Sequence, residues 1–453
     1  MTNASDPPNR RPPGQRSLSS HWQPDPRAGS RPPAGSRPPA GSAPQAPART
    51  GIPAPGPAQP PGTVEPTAPI LPPATIGILG GGQLGRMLGL AARELGYRVL
   101  VLDPDPDCPA AAIADRVEMG AYHDVDAALR LAERADVVTY ELEHVALALV
   151  DAISAAGRPV RPGRLALQVT QDRLIERQFL ELAGAAVAPY RVVSDQAELA
   201  AAAFELDLPL RLKAPTGGYD GRSQVRMGSV GELGNAIDLL GRPAGERLLL
   251  EKELPFRMEL SVVVARDLDG TTAAYPVGRN VHDRGILVES AAPAPIDSEV
   301  AAAAQALAVH IAAEIGLVGV MTAELFLMPD GSIVVNELAP RVHNSGHWTI
   351  EAAVTSQFEQ HIRAICGLPL GLAELRSPAA TVNLLGTGHR RRAHLAGIAD
   401  ALRTPDVHLH VYDKREVFER RKMGHVTALG ATPDEALERA RAGRAALSWT
   451  GES

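Results

Sequence analysis

The run Thr75-Ile-Gly-Ile-Leu-Gly-Gly-Gly-Gln-Leu-Gly85 decides how the body of this 453-residue chain is read. Its first five residues suit a buried strand, the glycines a tight turn, and Leu84–Leu95 a helix closed by Gly96. Working outward, Arg98-Val-Leu-Val-Leu-Asp103 is a second apolar strand. Val125–Ala135 follows as a helix and Val137-Val-Thr-Tyr-Glu141 as a later strand. Strands alternating with helices at this spacing predict a doubly wound parallel sheet from residue 74 onward. Gly80-x-Gly82-x-x-Gly85, with Asp103 ending the next strand, also fits the dinucleotide fingerprint. A nicotinamide-dependent oxidoreductase is therefore one reading. Three glycines equally serve any turn that brings backbone amides to an anion.

Upstream of this run the composition changes. Residues 1–73 hold 21 of the 40 prolines, seven arginines, three acids and the tandem hexamer Arg31-Pro-Pro-Ala-Gly-Ser36, Arg37-Pro-Pro-Ala-Gly-Ser42. Such a segment has too little apolar surface to offset its ordering entropy and is expected to be a disordered tail. The whole chain carries a formal charge of -7, so the body without this basic tail is more acidic still. That argues against a nucleic-acid phosphate binder. The two cysteines, Cys108 and Cys366, give neither a disulfide framework nor a four-ligand zinc site, which suits a reducing compartment. No apolar run is long enough for a membrane span, and no signal segment opens the chain. A cytoplasmic location is the expectation.

Downstream, from about residue 190, closely spaced strands with glycine-rich turns replace the alternation. Pro209–Ala214 and Ser223–Met227 flank Thr216-Gly-Gly-Tyr-Asp-Gly-Arg222; Leu248–Glu251 and Met258–Arg266 follow, then an Ala-rich helix Val300–Ile315. Lys213 beside this mobile glycine flap is an arrangement for binding nucleotide phosphates, although a plain hairpin tip uses glycine too. Met321–Met328 and Ser332–Leu338 read as a hairpin around Pro329-Asp330-Gly331. With Asp330 and Gly331 as a two-residue turn, Glu324 faces Glu337, an opposition that invites a cation shared with substrate phosphates. A turn one residue longer moves one glutamate away. Arg341-Val-His-Asn-Ser-Gly-His-Trp348 offers an arginine fork, an imidazole and small donors for a compact anion. Lys414 and Arg421-Lys-Met-Gly-His425 suit a substrate phosphate, or form a solvated charge run. From Ser377 short strands such as Ala380–Leu385 complete an α+β region.

Four of these segments, Gly80–Met87, Thr216–Arg222, Asn336-Glu-Leu-Ala-Pro-Arg-Val-His-Asn-Ser-Gly-His347 and Arg421–His425, together resemble the 5-(carboxyamino)imidazole ribonucleotide synthase family of ATP-grasp enzymes. The likeness runs from Thr75 to near residue 450 and leaves out only the tail. It implies an ATP-grasp fold: an amino-terminal doubly wound α/β domain (74–170), an ATP-grasp domain (171–376) with a small lid at about 190–254, and a carboxyl-terminal α+β region (377–453). It also implies ATP-dependent joining of 5-aminoimidazole ribonucleotide and bicarbonate, with Mg²⁺ or Mn²⁺, in a homodimer. A formate-dependent or other carboxylate–amine ligase is the nearest alternative, and the oxidoreductase recedes.

Carried over position by position, the resemblance implies ATP contacts from Arg173, Lys213, the flap Gly218-Tyr219-Asp220-Gly221-Arg222-Ser223-Gln224, Glu251-Lys252-Glu253-Leu254, Glu259, His282, Asn336 and Glu337. Glu324 and Glu337 match the metal carboxylates. Tyr219, Asp220, Arg341, His343, Asn344, Lys414 and Arg421 match positions for bicarbonate and the ribonucleotide. The turn Gly82, Gln83 and Leu84, with Glu141, falls on the ribonucleotide side. Lys213, Arg341, His343, Asn344 and Lys414 are the expected catalytic set. Two positions depart from the pattern: Arg279 stands where many relatives carry an acid, and Arg177 where lysine is frequent.

Overall fold

The computed structural model describes residues 68–218, 223–242 and 245–451. The tail up to residue 67 and the flap tip Tyr219, Asp220, Gly221 and Arg222 lie outside the described residues. Ile70, assigned to the tail by its proline-rich neighbours, belongs instead to the body. Its amide donates to Cys366 O (2.9 Å), its carbonyl accepts from the Tyr97 hydroxyl (2.7 Å), and its side chain packs on the core.

Strands β1 (Thr75–Leu79), β2 (Arg98–Asp103), β3 (Arg116–Met119) and β4 (Val137–Tyr140) form a parallel sheet in the order β3-β2-β1-β4. Ile76, Ile78, Val99 and Val101 fill one face; Leu79, Leu100, Leu102 and Val138 fill the other. Both faces of β1, β2 and β4 are covered, which is why these three read as continuous apolar runs, while the edge strand β3 does not. The first helix spans Gln83–Glu94, as the spacing predicts to within a residue. The second ends at Ala132 rather than Ala135; Asp124 caps its start by accepting from Ala127 N (3.0 Å).

A separate antiparallel sheet follows: β5 (Tyr190–Val193), β6 (Leu210–Lys213), β7 (Gln224–Met227) and β8 (Leu248–Lys252), ordered β5-β8-β6-β7. Helix Gln196–Leu206 covers it with Leu199, Ala202 and Ala203 against Leu210, Leu212 and Leu250.

The largest sheet has nine strands. They include β9 (Met258–Arg266), β10 (Thr272–Ala274), β11 (Gly278–Asp283), β12 (Ile286–Ala292), β13 (Gly319–Leu327), β14 (Ile333–Ala339) and β15 (Ala379–Leu385). The path runs β14-β13-β9-β11-β12-β15, then Lys422–Leu429 and Val407–Val411, with β10 hydrogen-bonded beside β9. Helix Ser298–Glu314 lays Ala304, Ala308 and Ile311 on Val262, Val264, Met321 and Ala323; each fully buried Val, Ile or Met contributes roughly 1.5–3 kcal/mol. Among the described residues no helix is long and apolar enough to cross a membrane.

The β13–β14 hairpin corrects one expectation and keeps another. Its turn has three residues, Pro329-Asp330-Gly331, closed by Met328 N donating to Ser332 O (2.9 Å), with Gly331 at φ 86°. Leu327 therefore pairs with Ile333 and Leu325 with Val335, one residue out of the two-residue register. A bulge then places Asn336 as an extra residue, and Glu324 meets Glu337 after all.

Candidate active site

A cleft of about 920 Å³ opens between the small β5–β8 sheet and the large one. The hairpin supplies its floor. Glu324, buried on β13, faces Glu337, exposed to the cleft on β14, with Asn336 on the bulge beside it. Burial, then the neighbouring Glu337, pushes the Glu324 carboxyl up to about 7. A divalent cation would relieve this opposition, and two carboxylates plus phosphate oxygens are the usual donor set of Mg²⁺. Among the described residues no group of three or more His, Cys, Asp or Glu side chains forms an all-protein cage.

His343 touches the same carboxylate. Its Nδ1 accepts from Ser345 N (3.3 Å), so the proton sits on Nε2, 3.1 Å from Glu324 Oε1. Burial, then Arg341, holds His343 well below its ordinary pKa, which keeps it neutral. Both ring nitrogens of His343, a residue expected to help hold bicarbonate, are thus engaged within the protein. Arg341 donates through Nε to Glu143 Oε2 (2.5 Å) and through Nη1 to Val342 O (3.1 Å); Nη2 makes no bond among the described residues. Burial would raise Glu143, but Arg341 overcomes it and holds the carboxyl at about 2.

Across the cleft, Lys213 ends β6 and pairs with Glu251 of β8. Burial alone would raise Glu251, yet Lys213 and Arg177 hold it at about 2. Arg177 is buried, with Nε 2.6 Å from Glu251 Oε1, Nη1 3.0 Å from Glu176 Oε2 and Nη2 2.6 Å from Asn336 O. Arg173 lies one turn earlier on the same helix and donates to Ala214 O (3.0 Å) behind Gly218. Glu253 is held by Arg211 (2.6 Å) and Arg226 (2.7 Å), while the Lys252 amine turns away to Asp207 O (2.8 Å). Phe256 stacks on Phe326 at 4.4 Å in the cleft wall near Leu254. His282 Nδ1 lies 2.7 Å from Glu259 Oε2; burial alone would lower the imidazole, but this bond together with the charges of Glu324, Glu259 and Glu337 raises it. Gln224 lines the cleft; Ser223, at φ 67°, does not.

The glycine turn departs from the dinucleotide expectation because the protein fills it with its own carboxylates. Glu141 accepts from Gly82 N and Gly85 N (2.8 Å each), and a Cβ at Gly82 would sit 2.4 Å from its Oε1. Asp103, buried, accepts from Gly81 N (2.7 Å) and the Tyr122 hydroxyl (2.8 Å) instead of facing a ribose. Burial pushes Glu141 up despite the two amides. The Leu84 side chain is in the core, so only its backbone can meet a ligand. Gln83 does reach the site: it accepts from Lys414 Nζ (2.6 Å) and donates to Asn344 Oδ1 (3.4 Å). Arg421 lies off the cleft, donating to Glu416 O (2.7 Å) and resting on Phe418; its neighbour Lys422 lines the cleft.

Sequence reasoning missed Glu143, Glu176 and the Phe256–Phe326 stack; Lys422 it placed only within the basic run after Arg421. Glu143 had a signal: like Glu141 it follows the carboxyl end of a parallel strand, where α/β ligand sites gather. Asn344 also rests on a buried histidine, His347 Nε2 at 3.1 Å, whose ring stacks on His425 at 4.3 Å.

A lysine on a small sheet, across a cleft from paired carboxylates on a large one, fits a nucleotide-using ligase of the ATP-grasp class. Family models agree: the chain matches the ribonucleotide synthetase preATP-grasp domain over residues 73–171, the ATP-grasp domain over 178–358 and the phosphoribosylaminoimidazole carboxylase C-terminal domain over 379–439. It is 40% identical over 365 residues to N5-carboxyaminoimidazole ribonucleotide synthase of Bacillus subtilis, covering 81% of this chain and 94% of that one. A solved ADP complex of an N5-carboxyaminoimidazole ribonucleotide synthetase superposes with TM-score 0.77 at 43% identity, covering 83% and 97% of the two chains. An Aspergillus clavatus synthase solved with ADP and 5-aminoimidazole ribonucleotide gives 0.74 at 33%, covering 82% and 98%. The chain belongs to the N5-carboxyaminoimidazole ribonucleotide synthase family.

Proposed function

We propose that this protein carboxylates 5-aminoimidazole ribonucleotide with bicarbonate at the expense of ATP, giving the N5-carbamate, ADP and phosphate in purine biosynthesis. The observation that carries the reading is the facing of Glu324 and Glu337 across the cleft from Lys213. A formate-dependent ligase is the alternative to be separated from it by experiment.

Bicarbonate is a poor electrophile, so an oxygen of bicarbonate attacks the γ-phosphorus of ATP, the bond to the β,γ-bridging oxygen breaks, and carboxyphosphate forms as ADP leaves. Lys213 offsets charge on the transferring group, and the free arm of Arg341 orients the bicarbonate. Glu324 and Glu337, with Asn336 beside them, would hold a Mg²⁺ or Mn²⁺, which would supply charge neutralisation to the phosphates. His343 steadies Glu324 through its Nε2 proton. The ribonucleotide amine then attacks carboxyphosphate, or CO₂ released from it, beside Asn344, Gln83 and Lys414. Closure of the β5–β8 lid excludes water from an intermediate that hydrolyses readily. The reading takes the site to serve a cytoplasmic homodimer joined through the amino-terminal α/β domain.

The test is ADP release by the purified chain with ATP and Mg²⁺, with and without bicarbonate and 5-aminoimidazole ribonucleotide. Turnover that requires both supports the proposal. Turnover driven by formate instead, or none with any carboxylate, overturns it.

A further inference from the structure

We propose that Glu176 and Arg177 are positioning residues that hold the Asn336 bulge in shape and thereby aim Glu337 at the metal. The inference rests on the metal reading above. A bulge takes its extra residue out of the sheet ladder, and buried backbone groups left without partners are costly. Here the two groups flanking Glu337 find partners on consecutive residues of one helix, Arg173–Leu182. Asn336 O accepts from Arg177 Nη2 (2.6 Å), and Leu338 N donates to Glu176 Oε1 (2.7 Å).

The pair is itself tied. Arg177 Nη1 donates to Glu176 Oε2 (3.0 Å), and both side chains are buried. A third arm, Nε to Glu251 Oε1 at 2.6 Å, connects the clamp to the partner of Lys213. One planar fork thus bridges the strand carrying Glu251, the partner of Lys213, and the strand carrying Glu337. Lysine keeps the charge but has no planar fork to span three acceptors. The neighbouring edge of β14 is also covered, since Val335 N donates to Ala186 O (2.8 Å). The clamp therefore acts on the bulge and not on an otherwise loose strand.

Glu176→Gln and Arg177→Lys test this, with Mn²⁺ as probe, its binding to the full chain followed by electron paramagnetic resonance in the presence of ADP. Losing one charged hydrogen bond predicts Mn²⁺ binding about ten-fold weaker in each variant. Glu176→Gln should leave ADP affinity in EDTA and the KM for the ribonucleotide unchanged, which a general loss of packing would not. Wild-type Mn²⁺ affinity in both folded variants overturns the inference. Failure of the wild type itself to take up Mn²⁺ with ADP overturns the metal reading, and the clamp's purpose with it. Should Arg177→Lys melt below the assay temperature, Glu176→Gln alone decides.

Discussion

Lys414 Nζ lies 2.6 Å from Gln83 Oε1, bridging the first glycine turn and a loop near the end of the chain. Gln83 in turn donates to Asn344. Each parallel ladder or hairpin could form without this contact, so it is a product of the site. Lys414→Met should raise the KM for 5-aminoimidazole ribonucleotide by about ten-fold or more, the effect of one lost charged hydrogen bond. ADP affinity should stay at the wild-type value. Steady-state kinetics and ADP calorimetry check the split; an unchanged KM removes Lys414 from the ribonucleotide side.

Glu337→Gln should lower metal-supported turnover by a factor of a hundred or more, on the order seen when one electrostatic contact to a transition state is lost. It should also leave the metal-free melting temperature equal or higher, because it relieves an opposed pair of like charges. Near-normal turnover would contradict the metal role.

A pH dependence follows from Glu324. Its folded pKa of about 7 lies above the usual 4.5, so the folded protein binds more protons than the unfolded chain between those values. Stability from this group is present below pH 4.5 and is lost as the pH rises through 7. Glu337, Glu259, His282, His343 and Lys422 face it, and Glu176, raised to about 7 mainly by burial, adds in the same direction. In EDTA, melting temperatures of the wild type should fall relative to Glu324→Gln between pH 5 and 8, and saturating Mg²⁺ should remove the difference. Parallel curves in EDTA refute the assignment.

His343→Ala should impair ligation more than ADP binding, since its Nε2 bond to Glu324 acts on the metal side of the cleft. A doubled Mg²⁺ requirement or more is the expected accompaniment. An unaltered rate at low Mg²⁺ would show that Glu324 needs no such support.

Removing residues 1–67 should leave the melting temperature unchanged, whereas Ile70→Asp should lower it by a few degrees, because Ile70 is packed under Tyr97 and Cys366. Differential scanning calorimetry distinguishes the two. Equal effects would mean that the body starts elsewhere.

The α/β beginning was legible because β1, β2 and β4 are buried on both faces and leave continuous apolar runs, whereas the edge strand β3, Arg116-Val-Glu-Met119, leaves none and was not read. The Glu324–Glu337 pairing was legible for a reason that does not hold. A two-residue turn was assumed, and the true turn is longer; the bulge at Asn336 returns the lost residue. Neither deviation has a strong local signal, since Pro-Asp-Gly suits several turns and bulges depend on tertiary partners such as Arg177. The glycine turn misled for a related reason. An acidic residue after the second strand suggests a ribose partner, but whether it faces a ligand or its own loop depends on Tyr122 and Glu141, which only the fold brings near.

The uninterrupted ladder from β14 to Val407–Val411 has a mechanical consequence. Glu324, Glu337 and the strand leading to Lys414 belong to one continuous sheet, whereas the sheet bearing Lys213 shares no strand with it. The two sheets therefore meet through side-chain links such as the Arg177 fork to Glu251 and Asn336 O, so any movement of one against the other loads those hydrogen bonds before it strains a ladder.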